Sequence, residues 1–259
     1  MERDGDLICK IEDQVTWITL NQPEKMNRLT NQIMLKLAIA LETARDDDKI
    51  RVVVITGAGD KAFCAGASLD QFEQESILTL KKKLEVFIRI CRLFSSLGKP
   101  SIAMINGYAM AGGCGLAIMP TFSIASEKAV FATPEINVGL WPMMVMEILF
   151  RTVGRKKGLE MICTGETIDA KTAERMGLIN KVVPHKELKL HVSALVDKLK
   201  SKSASIMKLG LEAFNTASDM EYFKALSYLK DMAVIVSNTP DSREGISAFM
   251  EKRKPNWDN

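Results

Sequence analysis

Hydrophobic and polar positions change period several times along the chain, and each change marks an element. Between Leu7 and Leu20 apolar and polar residues alternate around Glu12-Asp13-Gln14, which predicts a β-hairpin ended by Asn21-Gln22-Pro23. From Thr30 to Ala44 the apolar positions Ile33, Leu35, Leu37, Ala38 and Leu41 take up helical spacing, with Thr30 placed to cap the first turn. Arg51 to Gly57 is a short β-branched run closed by glycine, the pattern of a buried parallel strand. A long helical stretch from Ile77 to Ser96 follows, and Ser101 to Gly107 repeats the strand-then-glycine pattern. The small-residue turn Ala111-Gly112-Gly113-Cys114-Gly115 leads into the apolar run Leu116 to Met119. Thr121 to Ala125 predicts a third strand, ahead of Ala129-Val130-Phe131 and the tight Thr133-Pro134-Glu135. Beyond Trp141-Pro142 the period is helical: Val145 to Arg151, Lys156 to Cys163, Ala170 to Met176, and several more from Leu188 to Lys254. The expectation is an α/β core over residues 1–187 followed by a helical region over 188–259.

Composition narrows the function. A chain of 259 residues with 47% hydrophobic and 26% charged residues is an ordinary globular composition with enough length for a sizeable core. Its 35 basic and 32 acidic residues leave a net charge of +3, so neither nucleic acid nor a membrane is expected as a partner. Charges at Glu2, Arg3, Asp4 and Asp6 are incompatible with a secretory signal, and no apolar run reaches the length of a membrane span. Five dispersed cysteines without a C-x-x-C pair read as reduced thiols of a cytoplasmic protein. With only His185 and His191 present, a Ser/His/Asp triad or a histidine-rich metal site has almost no material, and no metal site is expected.

Two glycine-bearing turns stand out, Phe63-Cys64-Ala65-Gly66-Ala67-Ser68 and Ala111-Gly112-Gly113. Where such a turn leads from a strand toward a helix, unpaired N–H groups point outward and can hold an oxyanion. The same glycines also serve tight turns and close helix packing. Neither turn is a phosphate loop or a dinucleotide fingerprint, which argues against nucleotide hydrolysis and nicotinamide chemistry.

Four segments carry a resemblance: Leu20 through Asn27, Ala62 through Ala67, Asn106 through Cys114, and Thr133 through Leu140. With Thr164-Gly165-Glu166, Ala170 through Ile179, Val182-Val183-Pro184 and Phe249 through Pro255, they resemble in order the motifs of the enoyl-CoA hydratase/isomerase (crotonase) family. The resemblance implies a crotonase-like spiral core of ββα repeats, with the C-terminal helices serving trimerisation. It implies an acyl-CoA thioester as substrate, coenzyme A arriving as part of it with no separate cofactor, and a homotrimer or dimer of trimers. By resemblance the oxyanion donors are the backbone N–H groups of Ala67 and Gly112. A thioester enolate places negative charge on one oxygen, where two fixed donors are worth most.

Departures from the family pattern refine the expectation. Hydratases of the family usually carry two glutamates; here one position holds Gly115 and the other is retained as Glu135. Hydration needs a water held, deprotonated and delivered, whereas a double-bond shift needs a single base, and some family isomerases retain only the carboxylate matching Glu135. Isomerisation with Glu135 as acid/base is the leading expectation. The alternatives are a hydratase with a substitute at Asn137 or Glu147, and a non-catalytic acyl-CoA- or RNA-binding paralogue. Trp141, Met143 and the neighbouring methionines would dry the pocket and raise the Glu135 pKa, and they also read as core filler. Substrate contacts are assigned to Ala65, Gly66, Ser68, Leu69 and Gly113, with Lys25 and Lys252 for the phosphates and Phe249 for the adenine of a neighbouring subunit. The family often has a lysine where this chain has Asp70, which removes that phosphate contact. Lys252, Arg253 and Lys254 read equally as a solvated helix face.

Overall fold

The computed structural model describes residues 5–67 and 76–257. The first alternating segment forms β1 (Leu7–Glu12) and β2 (Val15–Leu20), paired antiparallel with Glu12 opposite Val15. Only Asp13 and Gln14 remain in the loop, at φ of 45° and 65°, the left-handed pair whose twist matches that of the strands it joins. β2 then lies parallel to β3 (Val52–Gly57), β3 to β5 (Ser101–Ile105), β5 to β7 (Phe122–Ser126) and β7 to β10 (Lys181–Val183). The six-stranded order is β1-β2-β3-β5-β7-β10. Every residue of β3 is buried, which explains a continuous apolar run where a half-buried strand would alternate.

A second, smaller sheet was not legible in the sequence. β4 (Ala62–Cys64), β6 (Tyr108–Met110) and β8 (Val130–Ala132) run parallel in it, with β9 (Ile168–Asp169) antiparallel to β8. Strands of three residues are too short to display a period. Each of β3, β5 and β7 is followed by one of these short strands and then by helix: α2 (Ile77–Ser95), α3 (Gly112–Ile118), and a 3-10 turn over Pro134–Val138 leading to α4 (Met143–Thr164). That is the ββα repeat the resemblance implied.

Helix α1 (Asn31–Asp46) starts where expected, the Thr30 Oγ1 accepting from the Ile33 N–H at 3.2 Å. The two helices expected at Val145 to Arg151 and Lys156 to Cys163 both form within α4, meeting at a kink where Gly154 has a non-helical φ of 72°. Next come α5 (Ala170–Arg175) and α6 (Leu188–Lys200). Ile33, Leu37 and Leu41 of α1 share the main core with Val53 and Ile55 of β3. Leu188, Val192 and Val196 of α6 pack with Val52 and Val54, the alternate residues and hence the other face of the sheet. The helix just after the expected boundary at 188 is therefore packed on the core sheet. The remaining helices, α7 (Ala204–Ala217), α8 (Tyr222–Ser237) and α9 (Pro240–Met250), carry exposed Phe214, Phe223 and Phe249. Among the described residues no helix is long and apolar enough to cross a membrane.

Candidate active site

The two glycine turns follow β4 and β6, neighbours in the small sheet, so the fold brings them side by side. Buried Asn27 sets the approach to the first turn: its Nδ2 donates to the Ala58 and Ala62 carbonyls at 2.9 and 2.8 Å, and its Oδ1 accepts from the Gln22 N–H at 3.0 Å. Asn106 holds the same segment from the other side, donating to the Gly59 and Ala62 carbonyls and accepting from the Gly57 N–H. Leaving any one of these buried groups without a partner costs about 1–3 kcal/mol, so the pair fixes the entry to β4 firmly. The sequence showed both asparagines within motifs but gave no sign of this role.

Beyond β4 the Ala65 N–H donates to the Met26 carbonyl at 3.0 Å, and the Leu29 N–H to the Gly66 carbonyl at 2.8 Å. Gly66 has φ of +80°, and a Cβ there would stand 2.8 Å from the Met110 carbonyl oxygen and 3.1 Å from the Gly112 nitrogen. A Cβ on Gly113 would stand 2.2 Å from the Cys64 carbonyl oxygen. Only glycine allows the two turns to meet this closely. Ala111 at the apex of the second turn is held at φ of 53°, uncommon for a residue with a side chain, by its N–H to the Ala132 carbonyl at 2.9 Å. The N–H groups of Ala67 and Gly112 have no acceptor among the described residues.

Ala67, Gly112 and Glu135 line one cavity of about 260 Å³. Leu29 and Met34, Leu80, Leu84 and Phe87 of α2, and Leu140 through Val145 also line it. The charged side chains among the described lining residues are Glu135 and Lys83. Glu135 leaves β8 through the 3-10 turn, and its Oε2 is buried without a hydrogen-bond partner among the described residues. Burial raises its pKa above the ordinary value of 4.5, opposed in part by a hydrogen bond from its own backbone N–H. Neighbouring Cys114 is pushed up to about 12, by burial first and by the Glu135 charge second, and buried Cys64 likewise reaches about 12. Neither thiol is a thiolate nucleophile at neutral pH. No cluster able to hold a metal occurs among the described residues.

Five of the expected site residues thus converge on one cavity: Ala67, Gly112, Glu135, Trp141 and Met143. Ala65, Gly66 and Gly113 belong to the same two turns but are not among the lining residues, while Ser68, Leu69 and Asp70 lie outside the described residues. Exposed Lys25 is not part of the lining. Phe249 lines a separate cavity with Trp257, and Lys252 stands past the end of α9, so one chain does not bring either to Glu135. Arg253 is engaged by Glu244 and Glu251 at 2.6 Å each. Of the proposed substitutes for the second glutamate, Asn137 approaches the Gly165 carbonyl at 3.5 Å and Glu147 pairs with Arg151 at 2.7 Å; neither lines the cavity. Gly115 is buried, and a Cβ there would stand 3.1 Å from Val145 Cγ2 and 3.5 Å from Phe87 Cζ. Valine and phenylalanine, rather than the methionines, are the side chains nearest a Cβ at this position, and Val145 Cγ2 is the tight contact. The wall from α2 was missed as site, although its spacing is helical and apolar.

A family profile described as "Enoyl-CoA hydratase/isomerase" matches residues 10–259. The crotonyl-CoA hydratase of Syntrophomonas wolfei is 32% identical over 253 residues, 97% of both chains. The mitochondrial enoyl-CoA hydratase of Pongo abelii is 35% identical over 241 residues, 93% of this chain and 82% of that one. Among solved structures, an enoyl-CoA hydratase from Mycobacterium smegmatis superposes with a TM-score of 0.95 at 33% identity, covering 99% of this chain and 100% of the other. Human enoyl coenzyme A hydratase domain-containing protein 3 gives 0.93 at 31% identity, covering 98% and 100%.

Proposed function

The chain belongs to the enoyl-CoA hydratase/isomerase family, and from that premise we propose that it moves the double bond of an enoyl-CoA from the β,γ to the α,β position, with Glu135 as acid/base. The observation that supports this is one carboxylate facing an apolar wall. Glu135 is the carboxylate among the described lining residues, and Val145 and Phe87 stand where a side chain from Gly115 would enter. In this reading the thioester oxygen lies between the N–H groups of Ala67 and Gly112. Glu135 takes a proton from the α-carbon, and the electron pair passes into a dienolate whose charge rests largely on that oxygen. The two N–H groups bind it more strongly as charge develops, which lowers the barrier rather than the ground state. Protonated Glu135 returns the proton at the γ-carbon as the double bond moves. One proton leaves and one returns, so the reaction consumes neither water nor a cofactor, coenzyme A being part of the substrate.

The names of the relatives favour a second reading, addition of water to an α,β-enoyl thioester. Proton NMR in D2O with 2-enoyl- and 3-enoyl-CoA thioesters separates the two. Isomerisation gives double-bond migration with deuterium at the α- and γ-carbons and little 3-hydroxyacyl product. A dominant 3-hydroxyacyl product would replace the first reading by the second, and inertness toward every thioester would leave a binding protein.

The proposal extends to assembly and location. Phe214, Tyr222, Phe223, Val234 and Phe249 are exposed on α7 to α9, more apolar surface than a lone helical region ordinarily leaves to water. A homotrimer, or a dimer of trimers, would cover it and would let Phe249 and Lys252 reach a neighbour's coenzyme A, with Lys25 and the backbone of Ala65 and Gly66 contributing within the chain. Sedimentation at micromolar concentration should give that multiple of the chain mass; a monomer would count against it. The five unpaired cysteines suit a cytoplasmic enzyme.

A further inference from the structure

Among the described residues, helix α2 contributes one cation to the lining of the cavity. Leu80, Lys83, Leu84 and Phe87 all line it, so Lys83 lies on the helix face that meets the cavity. Its side chain is half-buried, one turn from Phe87, a rise of about 6 Å along α2. Phe87 marks the inner end: it is 6% exposed, and its Cζ is 3.5 Å from the Cβ position of Gly115. Apart from Lys83 and Glu135, the described lining side chains are apolar or have their polar group engaged, the Trp141 indole N–H donating to Met146 Sδ at 3.3 Å. Burial raises the Glu135 pKa and its own backbone N–H opposes this, with no part played by Lys83, so the ammonium stands away from the reacting carbons. Lys25 and Lys252, expected at the coenzyme A phosphates, do not line this cavity. The cation is therefore placed for the acyl end of the substrate, several bonds beyond the thioester.

We propose that the acyl group ends in a carboxylate, as the monothioester of a short dicarboxylic acid does, and that Lys83 holds that end. The proposal rests on the reading of the cavity as an acyl-CoA site. A carboxylate taken from water into apolar surroundings is strongly disfavoured unless a cation meets it there. Lysine meets it as a point charge on a flexible stem, which suits a chain end that can arrive at more than one angle. Lysines also lay their stems on apolar walls and keep the charge in water. Methionine keeps such a stem and removes the charge, so one substitution separates the two roles.

The test is calorimetric titration of the intact protein with glutaryl-CoA and with its uncharged isostere 5-methylhexanoyl-CoA, saturated thioesters whose binding needs no turnover. The parent should bind glutaryl-CoA at least as tightly as the isostere. Lys83→Met should weaken glutaryl-CoA about tenfold while leaving the isostere within about twofold, and Lys83→Arg should retain the preference. The advantage of glutaryl-CoA should shrink with added salt. Equal weakening of both thioesters by Lys83→Met would give Lys83 to the coenzyme A moiety or to wall packing, and an unmoved ratio would leave its charge in water; either result overturns the proposal. Selective loss of glutaryl-CoA binding, without turnover of any enoyl thioester by the parent, would uphold it while removing the catalytic reading. If neither thioester bound the parent, the acyl-CoA reading itself would fall, and this proposal with it.

Discussion

Glu135→Gln should lower the rate of double-bond migration by about a hundredfold to ten-thousandfold, the usual worth of a positioned general base. Glutamine keeps the size of the side chain in the cavity lining, but it cannot take the α-proton. Affinity for acyl-CoA should hardly change, because ground-state binding does not use that transfer, so the loss belongs in kcat with KM nearly constant. Stopped-time assays on a β,γ-enoyl thioester, paired with calorimetry on the saturated analogue, measure both. Full turnover by the glutamine variant would remove Glu135 from the chemistry.

The same substitution has a consequence for stability, with a definite sign. Burial raises the folded-state pKa of Glu135 above 4.5, so the folded protein holds this proton more tightly than the unfolded chain does. Below pH 4.5 both states are protonated and the group adds no penalty. As pH rises through the raised folded value, the buried carboxylate ionises against its surroundings and stability falls. Relative to the parent, the glutamine variant should gain in Tm with rising pH, and the gain should level off once Glu135 is fully ionised. In the parent, the acid limb of kcat/KM should lie above the ordinary glutamate range, since only the ionised form is a base. A catalytic group that costs stability in the resting protein is a trade-off expected at an active site.

How far the sequence carried these conclusions depended on the length scale of each signal. The hairpin, the long helices and the three main strands were legible because each runs long enough to display a period, and because Thr30 marked the start of α1. β4, β6 and β8 were not, since three residues cannot show alternation, yet they set the two turns side by side. Ala67, Gly112 and Glu135 were found through motifs, and chain pattern alone would not have placed them around one cavity. Phe87 and Leu84 have the spacing of ordinary core positions, and nothing local distinguishes a helix face that meets the core from one that meets a ligand. Asn27 and Asn106 were opaque for a related reason, since their worth lies in carbonyls up to 47 positions away in sequence. Gly115 was read through the resemblance as a missing carboxylate, and the identity of its neighbours depends on how α2 and α4 pack against α3.

That packing determines what happens when the carboxylate is put back. A Cβ at Gly115 would already stand 3.1 Å from Val145 Cγ2, so Gly115→Glu should overpack the wall before its carboxylate reaches the substrate. Overpacking alone should cost about 1–3 kcal/mol, a fall in Tm of roughly 2–12 °C for a chain of this size, and the buried charge adds to it. The single variant should therefore lose stability without becoming a hydratase. Gly115→Glu combined with Val145→Ala removes both crowding methyl groups and opens a path for the new side chain past Phe87. In that background stability should partly return, and hydration of crotonyl-CoA should rise about a hundredfold over the parent, the lower range for a positioned acid/base group. Thermal melts and product NMR on the parent, the two single variants and the double variant give the full cycle. If Gly115→Glu were as stable as the parent, Val145 would not be the obstacle. If the parent already hydrated crotonyl-CoA as fast as the double variant, one carboxylate would suffice for water addition, and the missing glutamate at Gly115 would not decide the chemistry.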